Sequence, residues 1–235
     1  MEERVLIVGK EKSYLLGTGK VYDTKYGKAD LRKVKIGQRI KVGKAVFSVL
    51  KPSTLDLLLH CKRGPQVILP KDAAAIVSIT GAGTDWKVID SGGGSGWLSI
   101  FLSMQGCSVT SYERDKGFFE IANKNAEFCG VKIKFVNKDF SKAKGKVDLV
   151  TLDLENPDRF IKKAFSLLKT GGWVAVYCLH AETLGKVWAA LEKAGFSGIK
   201  GLENIQKEWQ YGYGKSRPKT WSMAHTGFLV FGRKV

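Results

Sequence analysis

Four carboxylates and one run of glycines are the residues of this sequence whose types and spacing could do chemistry. Asp90, Glu113, Asp139 and Asp153 each follow a short apolar stretch, and Asp90 is followed almost at once by Gly92-Gly93-Gly94-Ser95-Gly96. The glycines stand between a strand-like run (86–90) and a segment apolar at helical spacing (97–105, WLSIFLSMQ). Glycines at such a turn let the backbone approach a ligand, and the helix start adds N–H groups and a positive dipole end. A carboxylate at the tip of the second strand, Glu113, is placed to accept both hydroxyls of a ribose. Asp139, after the third strand, would accept from an adenine amino group. Taken singly, each acid reads as an ordinary strand-end cap; at successive strand ends they read as a nucleotide site.

The glycine spacing separates two ligand classes. A dinucleotide loop needs glycines at the first, third and sixth positions. Counted from Gly92 the sixth is Trp97, so that pattern fails. What fits is acidic-x-G-x-G-x-G through Asp90, Gly92, Gly94 and Gly96, a spacing associated with S-adenosylmethionine methyltransferases; a glycine-rich structural turn is the plain alternative. Asp153 ends the fourth strand at the same edge, facing the side of the methyl donor where a nucleophile must arrive. Its plain alternative is a cap for a helix beginning near Pro157.

The elements that must position these residues alternate. Strands are predicted over 86–90, 107–112, 132–136, 147–152 and 172–179, with helices near 97–105, 116–128, 158–168 and 181–194. That order predicts an α/β fold with a mostly parallel sheet and helices on both faces, its ligands beyond the carboxyl ends of the strands. Gly92, Glu113, Asp139 and Asp153 then share one edge. After Gly195 the pattern changes to two long strands, 198–210 and 226–232, pairing as an antiparallel hairpin at the sheet edge. Their connection, QYGYGKSRPKTWSMAH, is basic and aromatic. Tyr211, Tyr213, Trp221, Lys215, Arg217 and Lys219 are suited to stack on bases or meet phosphates, unless the segment is only a surface loop.

Residues 1–55 have another texture. Runs at 4–8, 34–42 and 45–49 read as short strands punctuated by glycines, a small β-barrel or sandwich. Lys10, Lys12, Lys20, Lys25, Lys28, Lys33, Lys35, Lys41, Lys44 and Lys51 crowd this stretch. Any one of them reads as solvated surface; their concentration reads as an RNA-gripping accessory domain. Pro52 marks a boundary, giving a basic β-barrel-like domain over 1–60 and a catalytic domain over 61–235. Residues 55–60 are expected to be helical, and the two prolines in 62–72 argue against regular structure there. Asp72 is expected to cap the helix begun by AAAIVSI.

The chain of 235 residues carries a formal charge of +17, which implies a polyanionic partner, nucleic acid or else an anionic membrane surface. It has no apolar run of about 18 residues, and its first residues are too short an apolar stretch for a signal peptide. The expected location is cytoplasmic. The four cysteines form no CxxC pair, and His60 beside Cys61 is poor ligand spacing, so neither a metal site nor a disulfide framework is expected.

Four stretches together resemble a known family. KRGPQVILPKDAAAIV (62–77), DSGGGSG (90–96) with SYE (111–113), LDLENPDRF (152–160) and SRPKTWSMAHTGFLVFGRK (216–234) are similar to segments of the TrmI-type tRNA (adenine-N1)-methyltransferases, their archaeal branch in particular. The glycine loop alone is not specific to that family; the first and last stretches are. The resemblance implies a class I S-adenosylmethionine-dependent methyltransferase domain, Rossmann-like, with a mostly parallel seven-stranded sheet and an antiparallel C-terminal hairpin, preceded by a small N-terminal β domain. It implies methyl transfer to N1 of adenosine in the T-loop of tRNA, at position 58 and in some archaea also 57, by a homotetramer.

By residue match, Gly92, Gly94, Ser95, Gly96 and the backbone of Trp97 would cradle the methionine part of the donor, with Gln66 beside it. Glu113 would bind the ribose and Asp139 the adenine, while Asp153 matches the catalytic aspartate and also lines the cofactor site. Arg217, Lys219 and His225 are the candidate RNA contacts. The chain departs from the pattern at Leu69, where a tyrosine or histidine usually stands beside the target base, at Leu154-Glu155 in place of Leu-Pro, and at Asp90 in place of a glutamate. Two alternatives stay open: a class I methyltransferase acting on another RNA, a protein or a small molecule, and a non-catalytic tRNA-binding subunit.

Overall fold

The computed structural model describes residues 3–64, 67–220 and 225–235. The chain divides into two compact units, residues 1–61 with 128–130, and residues 62–127 with 131–235.

In the first unit, strands β1 (Arg4–Val8), β2 (Ser13–Gly17), β5 (Arg39–Val42) and β6 (Ala45–Leu50) form an antiparallel sheet of order β2-β1-β6-β5. Strands β3 (Val21–Thr24) and β4 (Gly27–Asp30) pair as a separate ribbon. Three of these strands, β2, β3 and β4, lie where no strand was expected, and the run expected over 34–42 is extended only from Arg39. Val5, Ile7, Leu31, Phe47 and Val49 fill the core, and the Tyr26 ring meets Phe47 edge-on at 5.4 Å. Helix α1 (Thr54–His60) opens with a capping box, Ser53 and Asp56 each binding the other's backbone N–H. All ten lysines named above are exposed. The thiols of Cys61 and Cys129 meet at 3.3 Å, a contact their separation in sequence hid.

In the second unit, strands β7 (Lys87–Ser91), β8 (Ser108–Tyr112), β9 (Lys134–Val136), β10 (Val147–Leu152), β11 (Leu168–Cys178), β12 (Phe196–Glu203) and β15 (Phe228–Lys234) build one sheet of order β12-β15-β11-β10-β7-β8-β9. The five strands from β11 to β9 pair in parallel, while β15 runs antiparallel to both β11 and β12. Helices α2 (Pro70–Thr80), α3 (Trp97–Met104), α4 (Lys116–Cys129), α5 (Ile161–Leu167) and α6 (Ala181–Ala194) alternate with the strands.

Strand side chains feed two cores by turns. Ile89, Val150, Val174 and Val176 pack with α5 and α6, whereas Val88, Leu149, Ala175 and Tyr177 pack with α2 and α3. Burial on both faces is why these strands read as continuous apolar runs.

Two expectations need correction. Asp72 does not cap α2: the helix starts at Pro70, with Leu69 as the capping residue, because a proline at the first helical position has no N–H to leave unpaired. Asp72 is the third helical residue, buried, and its carboxylate binds Lys71 Nζ at 2.8 Å. The strand expected over 198–210 ends at Glu203. Beyond it, β13 (Trp209–Gly212) and β14 (Lys215–Pro218) pair as a ribbon of their own. Tyr213 and Gly214 both take positive φ, 54° and 72°, as a two-residue hairpin turn matched to strand twist requires.

Candidate active site

The carboxyl ends of β7, β8 and β10 converge on a cleft of about 730 Å³ whose walls include Gly92, Gly94, Glu113, Asp139 and Asp153. A volume of that size suits a nucleoside-sized ligand. The glycine loop leaves β7 with Gly92 at φ 76°, and a Cβ there would lie 1.9 Å from the Asp153 carbonyl oxygen. Only glycine lets the loop pass the end of β10 that closely. The loop closes on α3, capped by Gly96 in the left-handed conformation at φ 83°. Loop and second strand are tied directly, since the Gly94 N–H donates to Glu113 Oε2 at 2.8 Å and the Asp115 N–H to Glu113 Oε1 at 2.7 Å. Asp139 is exposed at the rim and caps a short 3₁₀ turn, accepting from the Ser141 N–H; the Ser141 hydroxyl and then that N–H hold its carboxyl below the usual range.

Asp90 lies on β7 and Asp153 just past the end of the adjacent strand β10, and the two are held very differently. Asp90 is buried and accepts three hydroxyls, from Thr151 at 2.6 Å, Ser99 at 2.5 Å and Ser111 at 3.0 Å. The carboxylate of Asp153 receives no hydrogen bond among the described residues. Burial, with the Asp90 and Glu113 charges nearby, pushes its carboxyl up to about 7. Near neutral pH it therefore exchanges readily between a carboxylic acid and an under-solvated anion.

Three polar atoms beside the glycine loop are buried without a partner among the described residues: Ser91 Oγ, Ser95 Oγ and Trp97 Nε1. Buried donors of this kind are normally satisfied. Together with the open cleft and the glycine backbone, they fit a polar ligand such as S-adenosylmethionine. Gln66 lies outside the described residues.

Several site residues had no signal in the sequence. Asn125, on α4, bridges Lys62 and the loop: its amide accepts from the Lys62 N–H and donates to the Lys62 and Ser95 carbonyls, at 2.8 to 3.0 Å. Lys71 Nζ donates to the Asn204 carbonyl at 2.6 Å and to Thr226 Oγ1 at 2.8 Å, and Tyr177 OH donates to the Thr226 carbonyl. These partners lie 155 residues apart in the case of Thr226, beyond any local pattern.

The predicted RNA contacts stand apart from the cleft wall. Arg217 and Lys219 are exposed on and just beyond β14, Arg217 donating to the Gln210 amide oxygen at 2.9 Å and Lys219 pairing with Glu208. His225 pairs with Glu203 and meets the Leu179 carbonyl at 3.3 Å, both of which raise its pKa. Trp209, Tyr211 and Tyr213 are exposed, whereas Trp221 lies outside the described residues. Among the described residues no group of three or more His, Cys, Asp or Glu side chains converges to hold a metal, and no helix is long and apolar enough to cross a membrane.

Residues 88–172 match the family model of a methyltransferase domain. Over 98% of its length the chain is 26% identical to the tRNA (adenine(57)-N(1)/adenine(58)-N(1))-methyltransferase TrmI of Methanocaldococcus jannaschii, covering 94% of that protein. Its fold superposes on the crystal structure of the tRNA (m1A58) methyltransferase TrmI from Aquifex aeolicus with a TM-score of 0.83, at 26% identity, covering 100% of this chain and 98% of that one. It also superposes on a SAM-dependent O-methyltransferase from Thermotoga maritima with a TM-score of 0.87, at 26% identity, covering 100% of this chain and 93% of that one. The fold is the class I S-adenosylmethionine-dependent methyltransferase fold, and the resemblance to the TrmI-type family extends along nearly the whole chain.

Proposed function

We propose that this protein is an S-adenosylmethionine-dependent tRNA (adenine-N1)-methyltransferase acting on the T-loop adenosine at position 58, alone or together with 57. The observation that carries the reading is Asp153: a carboxylate without a hydrogen-bond donor among the described residues, in one cleft with the glycine loop and Glu113, in a chain similar to the Methanocaldococcus jannaschii TrmI over 98% of its length.

The donor supplies an electrophilic methyl group, and the adenine N1 that accepts it leaves the ring positively charged. Asp153 orients the base through its exocyclic amino group and stabilises the charge as it develops. With no donor to it among the described residues, its oxygens are available to the base. Glu113 holds the ribose, Asp139 the adenine, and Gly92, Gly94, Ser95, Gly96, Trp97 and Gln66 the methionine end. Asp90 is not a ligand in this reading; it locks β7, β8, β10 and α3 together through three hydroxyls.

The target base must leave its stack to reach Asp153. The exposed lysines of the first unit, and Arg217, Lys219 and His225 of the second, are residues that meet the tRNA. On the same reading the protein is cytoplasmic and a homotetramer, as the family resemblance implies, and light scattering would give the assembly size.

The test is to incubate an unmodified tRNA transcript with the protein and S-adenosylmethionine, then map 1-methyladenosine by mass spectrometry. Modification at 58, alone or with 57, is expected. Methylation of the RNA elsewhere without 1-methyladenosine, or transfer only to a protein or small molecule, would favour a class I methyltransferase of another substrate, and no transfer despite donor and tRNA binding would favour the non-catalytic subunit.

A further inference from the structure

Strand β9 and the turn after it carry an excess of positive charge that the site described above does not use. Between residues 132 and 146 stand six lysines and one acid, Asp139. Four of the six, Lys134, Lys138, Lys142 and Lys144, wall a pocket of about 670 Å³, large enough for a nucleotide. All four are exposed, and none enters an ion pair among the described residues. Asp139, the one carboxylate on the pocket wall among the described residues, balances at most one of the four charges. The lysines are also well placed. Phe140 and Ala143 are buried in the core on either side of Lys142, which fixes the backbone that presents Lys142 and Lys144 to solvent. With the backbone held, only side-chain freedom is lost when a ligand binds.

The neighbouring groove between α4 and the β8–β9 edge shares Lys134 but mixes Lys124 and Lys132 with Glu120 and Glu127. Uncompensated positive charge therefore marks the pocket at the end of β9 and not that groove. The pocket is continuous with the main cleft, since Tyr112, Lys138 and Asp139 line both. β9 is one outer strand of the seven-stranded sheet, and the chain leaves for the β13–β14 ribbon from the other, β12. Asp153, past the end of β10, lies between these two edges.

We propose that the lysine pocket at the end of β9 is a phosphate-binding site for the RNA substrate, in which Lys134, Lys138, Lys142 and Lys144 meet the phosphodiesters of the strand whose adenosine enters the main cleft. Ammonium groups on a flexible stem meet phosphate as point charges and read no sequence, so the pocket supplies register and salt-dependent affinity and takes no part in methyl transfer. The inference rests on the RNA-methylating reading above and deepens it: the RNA is held at the edge of the sheet away from Arg217 and Lys219 as well as near them.

The test uses lysines that line this pocket and not the main cleft: Lys134, Lys142 and Lys144, changed together to glutamine. The control removes the same charge elsewhere in the unit, from the exposed Lys162, Lys186 and Lys193 of α5 and α6. In filter binding with a tRNA transcript, the pocket variant is expected to lose about tenfold or more in affinity and to flatten the plot of log affinity against log salt by roughly two to three units. KM for tRNA should rise by the same factor, while kcat at saturating tRNA and affinity for S-adenosylhomocysteine stay within about twofold. The control should lose no more than about twofold. Equal losses in the two variants would reduce the effect to net charge and overturn the inference, as would an unchanged slope in the pocket variant.

A second measurement needs no variant. Lysine acylation of the wild-type protein, read by mass spectrometry, is expected to be blocked at Lys134, Lys142 and Lys144 by tRNA and left unchanged by S-adenosylhomocysteine. Protection by S-adenosylhomocysteine alone would give the pocket to the methyl donor, and no protection by tRNA would leave it empty of RNA; either overturns the inference. If the wild-type protein does not bind tRNA at all, the functional reading fails and the inference falls with it. Wild-type methylation of tRNA without the difference between the two variants leaves that reading standing and removes only the pocket.

Discussion

The surroundings of Asp90 and Asp153 teach how one functional group becomes either a fastener or a reagent. Both acids stand at the carboxyl edge of one sheet, Asp90 on β7 and Asp153 just beyond the end of the neighbouring β10. Asp90 has three hydroxyl donors from β8, β10 and α3, and its charge is consumed in holding those elements in register. Asp153 has none among the described residues, and burial and its acidic neighbours push it up to about 7. The structure thus commits the oxygens of one acid and leaves those of the other without a donor among the described residues.

The comparison breaks most visibly on activity. Asp153→Ala is expected to lower kcat for tRNA methylation by about 10³-fold, the scale of losing a positioned charge-stabilising group, with S-adenosylhomocysteine affinity changed only a few-fold. Radiolabelled methyl transfer and calorimetry check both halves; comparable activity in the variant would remove Asp153 from the chemistry. Asp90→Ala is expected to act on the fold instead. It leaves buried hydroxyls short of an acceptor and should cost about 3 kcal/mol, seen as a lower Tm, with the loss of activity tracking the unfolded fraction.

Proton linkage sharpens the contrast further. Because the folded protein holds the Asp153 proton up to about 7, well above the unfolded value of about 4, the native state binds more protons than the unfolded chain between those limits. Stability from this group is therefore present below pH 4 and lost as pH rises through 7. Asp153→Asn, which cannot ionise, is expected to gain Tm over wild type progressively from pH 4 to pH 8, whereas Asp90→Asn should lose Tm across the same range. Thermal melts in a pH series decide it. In the same series kcat/KM of the wild type should climb toward a plateau above 7, since the base is met by the ionised form.

The smallest effect belongs to the first unit. Replacing Lys33 and Lys35 by glutamine is expected to weaken tRNA binding only a few-fold at physiological salt and to flatten the plot of log affinity against log salt by roughly one unit for each phosphate no longer neutralised. An unchanged slope in filter binding would take those two lysines off the RNA.

The glycine loop and the four acids were legible because each lies at the end of an apolar run, and runs buried on both faces announce themselves by composition alone. Glu113 and Asp153 do line one cleft, as their spacing implied. What escaped was of two kinds. Strands β2, β3 and β4 are short and half-exposed, as in VYDT and GKAD, so neither alternation nor hydrophobicity marks them. The fastenings around the site escaped because they join distant residues: Asn125 to Lys62, and Lys71 to Asn204 and Thr226. Asp72 misled for a related reason. An acid just ahead of AAAIVSI looks like a cap until Pro70 starts the helix two residues earlier and Lys71 claims the carboxylate.

That lysine has a consequence for how such a chain can change over time. Asn204 and Thr226 flank the segment that carries the β13–β14 ribbon, and both are moored to the same ammonium group. The intervening stretch is therefore pinched shut at its base, like a bag on a drawstring. Its contents can be lengthened, shortened or exchanged with little mechanical signal reaching the sheet behind it. Descendants of such a scaffold are free to try new tips, and so new substrates, while the methyl-transfer chemistry is inherited intact.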